Sequence, residues 1–303
     1  MVIRKFLVVL SLLISASFLF GFHSNNEKEF TYRSDQFLKE NWAYNYLKID
    51  NIREKYNVYG KGIKVGLIDT GVSNFIEVTN GINILSKKSN YYDDHGHGTH
   101  IAGILKDKEF GIIPDSELFV VKALDNKMEG EIDNIVLGIN WLIKQDVDII
   151  LLPLGSPSGN EELKKVINKA IRKEIFVVSS VGNFGLQEKS EVLYPAKYKN
   201  VIGVGALAKD GDIWRGTTLG RGVDILLPGQ FIKSVSLKGE PLISSGTSMA
   251  SAYMAGMLAL YIEKLNSEGY PDEEGRILQF NEILYKFTKN GCLKAFDSDI
   301  LFP

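Results

Sequence analysis

Ile243 to Gly256 reads ISSGTSMASAYMAG, a glycine-punctuated turn that runs straight into a helix. Apolar residues at Ala250, Met254, Met257, Leu258 and Tyr261 recur at the spacing of one buried helical face. The pattern puts Ser248 at the helix start, where its hydroxyl can escape the interior and unpaired first-turn N–H groups can face a ligand. That position suits a nucleophile, and it equally suits an ordinary helix cap, since serine is favoured there. Other stretches must decide.

Two do. Val65 to Val72, VGLIDTGV, is an apolar strand ending in an acid and a glycine turn, and Asp94 to Gly103, DHGHGTHIAG, opens a helix on histidines. An acid at a strand end, a histidine and a serine are the parts of a nucleophile, base and orienter system. With DTG, HGTH and GTSMA all present, the chain resembles the subtilisin-like serine proteases over roughly Trp42 to Leu265. The resemblance makes Asp69 the orienting carboxylate, His97 the general base and Ser248 the nucleophile. Their order along the chain, Asp then His then Ser, differs from the orders of chymotrypsin-like enzymes and α/β-hydrolases. VGNFG at Val181 to Gly185 also matches, and makes Asn183 a side-chain donor to the oxyanion beside the Ser248 N–H.

The fold class follows from alternation. Apolar runs at Ile63 to Ile68, Glu117 to Val121, Asp148 to Leu152, Ile175 to Val178, Val201 to Val204 and Val223 to Leu226 read as strands, with amphipathic helices between them. Ile132, Ile135, Val136, Ile139 and Ile143 share one helical face; Leu163, Val166, Ile167, Ala170 and Ile171 form another behind Asn160, a good N-cap. A further amphipathic helix is expected near Ile277 to Phe287. Near-continuous apolar strands suit a sheet buried on both faces. The expectation is an α/β, three-layer subtilisin-like fold: a mostly parallel central sheet with helices on both faces, its site beyond the carboxyl ends of the strands.

With 303 residues, 45% hydrophobic and 24% charged, the chain is long enough for one large, well-buried core. A formal net charge of -2 and scattered lysines provide no basic field for nucleic acid. Cys292 is the sole cysteine, so no intrachain disulfide can form, and without a motif around it an incidental thiol is the expectation. Arg4 and Lys5 precede the apolar run Phe6 to Phe22, after which His23, Ser24, Asn25 and Asn26 turn polar. Residues 1–23 therefore read as a signal peptide or a retained N-terminal membrane anchor. Ser15 and Ser17 offer only a poor cleavage signal, because Phe18 to Phe20 would stay on the mature chain. Residues 24–48 form a short segment, with Trp42, Tyr44 and Tyr46 expected on the surface of a peptidase domain at 49–303. That segment is shorter than the folded propeptide usual among the enzymes it resembles.

The expected protein is a monomeric serine endopeptidase, secreted or anchored outside the cytoplasm, acting on polypeptides and touching membrane only through an anchor. The alternative, a catalytically silent binding or regulatory relative, is expected to have lost one of Asp69, His97, Asn183 or Ser248, and none is lost. Compact size leans toward a dedicated processing role over a degradative one. By the same resemblance Pro153, Leu154 and Gly155 border the substrate pocket, with proline where serine is usual, and Leu193 lies at its floor in place of a small residue. A shallow apolar pocket, cleaving after small or medium apolar side chains, is the expectation. Ala252 stands where a proline is common, and Tyr194-Pro195 is implied to be cis.

No cofactor or metal is assigned. His95, His97 and His100 lack the i, i+4 histidine pair with an intervening glutamate of helical zinc proteases. His100 is expected packed at its helix and His95 on the solvent side. Asp93 and Asp94 read as a solvated loop rather than calcium ligands, and the short stretch Leu105 to Pro114 weakens the case for a calcium loop after the histidine helix.

Overall fold

The computed structural model describes residues 41–86, 90–187, 189–269, 276–287 and 295–302. The expected leader and Cys292 lie outside them. Among these residues two short helices come first, α1 (Trp42–Tyr46) and α2 (Ile49–Tyr56), followed by β1 (Lys64–Asp69), β2 (Asn80–Asn83), α3 (His97–Lys106) and β3 (Glu117–Lys122). Then α4 (Ile132–Lys144), β4 (Ile149–Leu152), α5 (Glu161–Ile171), β5 (Phe176–Ser180), β6 (Ile202–Leu207) and β7 (Ile225–Pro228) alternate. A hairpin of β8 (Ile232–Val235) and β9 (Pro241–Ser244) precedes α6 (Thr247–Ser267), α7 (Arg276–Phe287) and α8 (Ser298–Leu301).

Seven strands form one parallel sheet in the order β2-β3-β1-β4-β5-β6-β7. Side chains alternate between two cores because successive Cβ atoms leave a strand on opposite faces. Val65, Leu67, Leu118, Val120, Ile149 and Leu151 point to one face, packed with the helices carrying His97 and Ser248. Ile68, Val121, Ile150 and Leu152 point to the other, against Ile135, Ile139 and Leu142 of α4 and Leu163 and Ile167 of α5. This is the three-layer α/β arrangement that the apolar periodicity implies. Asn160 caps α5 as its sequence predicts, its Oδ1 accepting from Leu163 N at 2.9 Å.

The structure departs from the sequence reading in three places. First, α6 is buried on every side from Thr247 to Leu260, not along one face. It is the central helix of the larger core, which is why its apolar residues surround it. Second, Trp42 and Tyr44 are buried while Tyr46 is exposed; Trp42 Nε1 donates to the Gln230 carbonyl at 2.9 Å, so the indole buries its ring and satisfies its one donor. Third, β2 and the β8–β9 hairpin add strands beyond the six apolar runs. The hairpin is antiparallel and separate from the main sheet.

Candidate active site

Asp69 is the last residue of β1 and fully buried, beyond the carboxyl end of a central strand. Its main chain is pinned by the residues just after neighbouring β3, where Ala123 N and Leu124 N donate to the Asp69 carbonyl at 3.0 and 3.2 Å. Thr70 N donates to its Oδ1 at 2.7 Å, and the Thr70 hydroxyl donates to the same oxygen at 3.2 Å. His97 opens α3 and places Nδ1 2.8 Å from both Asp69 carboxylate oxygens. A carboxylate oxygen only accepts here, so the Nδ1 proton points at Asp69 and Nε2 is left as the free base.

Close approach of two backbones makes this contact geometrically possible. A Cβ on Gly98 would come within 2.1 Å of the Gly71 carbonyl oxygen and 3.0 Å of Asp69 Oδ1. Only glycine lets α3 begin this near the β1 turn. Gly98 N also donates to Thr70 Oγ1 at 3.0 Å, tying helix start to strand end.

Asp93, fully buried, organises the turn into α3. Its Oδ1 accepts from His95 N and Gly96 N, both at 2.9 Å, and its Oδ2 from Thr99 N at 2.9 Å and the Thr99 hydroxyl at 2.7 Å. Burial pushes its pKa up, but the bonds from Gly96, Thr99 and His95 outweigh burial and hold the carboxyl below the ordinary 3.8. The solvated-loop reading of Asp93 is thereby corrected, and both its oxygens are engaged by N–H and O–H donors, an arrangement for capping a helix rather than binding a cation. Asp94 instead pairs with Lys122 Nζ at 2.7 Å, and that ammonium also donates to the Thr70 carbonyl at 2.6 Å. At the end of α3, Lys106 Nζ donates to the Pro114 and Ser116 carbonyls, placing a cation where the chain turns back. Among the described residues no group of three or more His, Cys, Asp or Glu is arranged to hold a metal.

Two further histidines flank His97. His95 is half-buried, and its Nδ1 accepts from His97 N at 3.3 Å. His100 is fully packed, with Nε2 donating to the Leu242 carbonyl at 3.3 Å. Burial, and then the neighbouring His97, push the His100 pKa from the ordinary 6.5 down to about 3, so this imidazole stays neutral at ordinary pH.

Ser248 is the second residue of α6, buried, with an N–H that has no intrahelical acceptor. Its hydroxyl donates to the Pro153 carbonyl at 3.1 Å. Asn183 follows β5 and turns toward the same helix start: its Oδ1 accepts from Thr247 N at 2.9 Å and from Thr247 Oγ1 at 2.8 Å. With the oxygen occupied twice, the amide orientation is set and Nδ2 remains as a donor. Thr247 is the positioning residue that reading the motif for its serine misses.

Pro153, Leu154 and Gly155 continue from β4 and are buried. Leu193, only 5% exposed, pushes its side chain between two backbones: a Cβ on Gly155 would meet Leu193 Cβ at 2.7 Å, and one on Gly182 would meet its Cγ at 3.0 Å. Ser156 and Tyr194 exchange backbone bonds at 2.7 and 2.8 Å, and the Tyr194-Pro195 peptide is cis, as the resemblance implies.

The family model of the subtilase family, Peptidase_S8, matches residues 60–290. The chain belongs to the subtilase family. It is 33% identical over 219 residues to the thermostable alkaline protease of Halalkalibacterium halodurans, covering 69% of this chain and 60% of that one. It is 35% identical over 213 residues to the minor extracellular protease Epr of Bacillus subtilis, covering 68% of this chain and 33% of Epr. Subtilisin DY of Bacillus licheniformis is 33% identical over 227 residues, 72% of this subtilase and 82% of its relative. The match thus spans 60% of the first relative and 33% of the second, less than two thirds of each.

Proposed function

We propose that this subtilase is a serine endopeptidase working through Asp69, His97 and Ser248, with the oxyanion held by Ser248 N–H and Asn183 Nδ2. The observation that carries the reading is His97 Nδ1 at 2.8 Å from both oxygens of a buried Asp69. That contact leaves Nε2 free to receive a proton. The Ser248 hydroxyl leaves the Pro153 carbonyl, gives its proton to His97 Nε2 and attacks the substrate carbonyl carbon. Charge gathers on the carbonyl oxygen between the two donors, in a site already arranged for it. His97 then passes the proton to the departing amine, and water repeats the sequence on the acyl-enzyme.

Pro153, Leu154 and Gly155 present the edge on which the extended substrate lies, and Leu193 keeps the pocket on the acyl side shallow, for small or medium apolar side chains. The protein acts outside the cytoplasm as a monomer, with residues 1–23 serving as leader or anchor, and its role is the processing of secreted polypeptides. The chemistry assigned to these side chains calls for no cofactor.

A fluorophosphonate reagent tests the reading. Covalent labelling at Ser248, lost in Ser248→Ala and much reduced in His97→Ala, is the expected result; a folded protein that takes up no label refutes it.

A further inference from the structure

We propose that Lys122 is a positioning residue for the reaction, its buried ammonium fixing the distance between the turn that carries Asp69 and the turn that leads into His97. This deepens the endopeptidase reading and rests on it. Lys122 is the last residue of β3 and stands in register with Asp69 on β1. In-register neighbours leave a parallel sheet on the same face, so this side chain departs on the side where Asp69 meets α3. Lys122 is only 4% exposed. An ammonium so deep is costly unless each of its three N–H groups finds an acceptor. Each does: the Thr70 carbonyl at 2.6 Å, Asp94 Oδ1 at 2.7 Å and the Leu124 carbonyl at 3.3 Å.

The three acceptors belong to three segments that must be held together for the proton to move. Thr70 donates twice to Asp69 Oδ1, from its N–H at 2.7 Å and its hydroxyl at 3.2 Å, and its Oγ1 accepts from Gly98 N at 3.0 Å. Holding the Thr70 carbonyl therefore fixes the residue that orients the carboxylate. Leu124 N donates to the Asp69 carbonyl at 3.2 Å, so the bond to Leu124 steadies the end of β1 from the neighbouring strand. Asp94 follows Asp93, whose Oδ1 accepts from His95 N and Gly96 N immediately before His97. One Nζ thus joins the acid's turn to the base's turn, while its three bonds go to neither side chain of the pair. Lys106 offers the contrast. It too is a buried ammonium on carbonyls, those of Pro114 and Ser116, but at the far end of α3, where its loss can weaken the fold without moving His97. The Asp94 side chain is 52% exposed, so the tie can be cut from outside the core.

Hydrolysis of an internally quenched peptide, with kcat divided by the fraction of protein labelled at Ser248 by fluorophosphonate, separates positioning from folding. Lys122→Met keeps the apolar stem and drops the ammonium. It should lower kcat per labelled site about 10–100-fold with KM within about threefold, the cost of a reacting pair misplaced by roughly an ångström. Fluorophosphonate should label it more slowly by a similar factor. Asp94→Ala cuts only the arm to the base and should lower kcat per labelled site about fivefold, again with KM kept; it supplies the measurement if Lys122→Met does not fold. Lys106→Met should lower the melting temperature and leave kcat per labelled site within about twofold. An unchanged kcat per labelled site in both Lys122→Met and Asp94→Ala, a KM that rises as far as kcat falls, or an equal loss in Lys106→Met overturns the inference. In each of those cases a labelled, active wild type keeps the endopeptidase reading; a folded wild type that takes no label removes that reading and the inference with it.

Discussion

Acid should weaken this fold through His100. The folded imidazole binds a proton only near pH 3, whereas the unfolded chain binds one below its ordinary 6.5. Folded pKa lies below unfolded pKa, so the stability is complete above 6.5 and is lost as the pH falls from there toward about 3. Each unit in that window costs about 1.4 kcal/mol. Moving to pH 5.0 covers roughly 1.5 units, or about 2 kcal/mol, a sizeable part of a typical domain's 5–15 kcal/mol. The depressed Asp93 carboxyl also costs stability in acid, but only below its ordinary 3.8, beneath the two pH values compared. His95 is shifted the same way by partial burial and is present in both proteins compared. Urea unfolding followed by tryptophan fluorescence, at pH 7.5 and 5.0, in Ser248→Ala with and without His100→Gln, isolates the effect. The protein retaining His100 should lose about 2 kcal/mol more between the two pH values than the Gln variant. Because slopes are compared, any fixed cost of the substitution cancels. Equal losses in both would show that the neutral, buried imidazole does not control acid stability.

Other expectations follow from single contacts. Asn183→Ala should lower kcat about 10²–10³-fold with little change in KM, the range found for removing one oxyanion donor from subtilisin itself. Thr247→Val, which removes one of the two donors to Asn183 Oδ1 but keeps the backbone bond, should cost about tenfold in kcat with KM preserved. Gly98→Ala drives a Cβ to 2.1 Å from the Gly71 carbonyl; thermal unfolding should register a loss of at least about 1–3 kcal/mol, with labelling at Ser248 impaired because α3 must retreat from Asp69. Leu193→Ala should open the acyl-side pocket, raising kcat/KM for Phe or Leu before the bond relative to Ala, at about 2–5 kcal/mol of stability.

The parallel strands and their helices were legible because burial on both faces writes itself as continuous apolar runs, and burial on one helical face as a 3.6-residue repeat. β2, Asn80–Asn83, carries one aliphatic side chain in four residues at the sheet edge, so it left no such run. The hairpin strands Ile232–Val235 and Pro241–Ser244 are short and interrupted by polar residues; the turn at Lys238-Gly239 was the available signal. Trp42 read as a surface residue because the carbonyl that satisfies its indole lies 188 positions away. At the site, motifs named Asp69, His97, Asn183 and Ser248, but a motif states which groups occur together and not what orients them. The bonds from Thr247 to Asn183, and those Asp93 accepts around the His97 turn, depend on side-chain direction and emerge only in three dimensions.

The first residues described have a bearing on where this chain can be cut. Tyr253, within the helix that carries Ser248, donates its phenol to Asn41 at 3.2 Å, and Trp42, Ala43, Tyr44 and Leu47 fill the larger core. A maturation cleavage that spares the enzyme must fall upstream of Asn41. One placed further along would strip aromatic packing from the back of the nucleophile's own support, and trimming would then become a means of destruction.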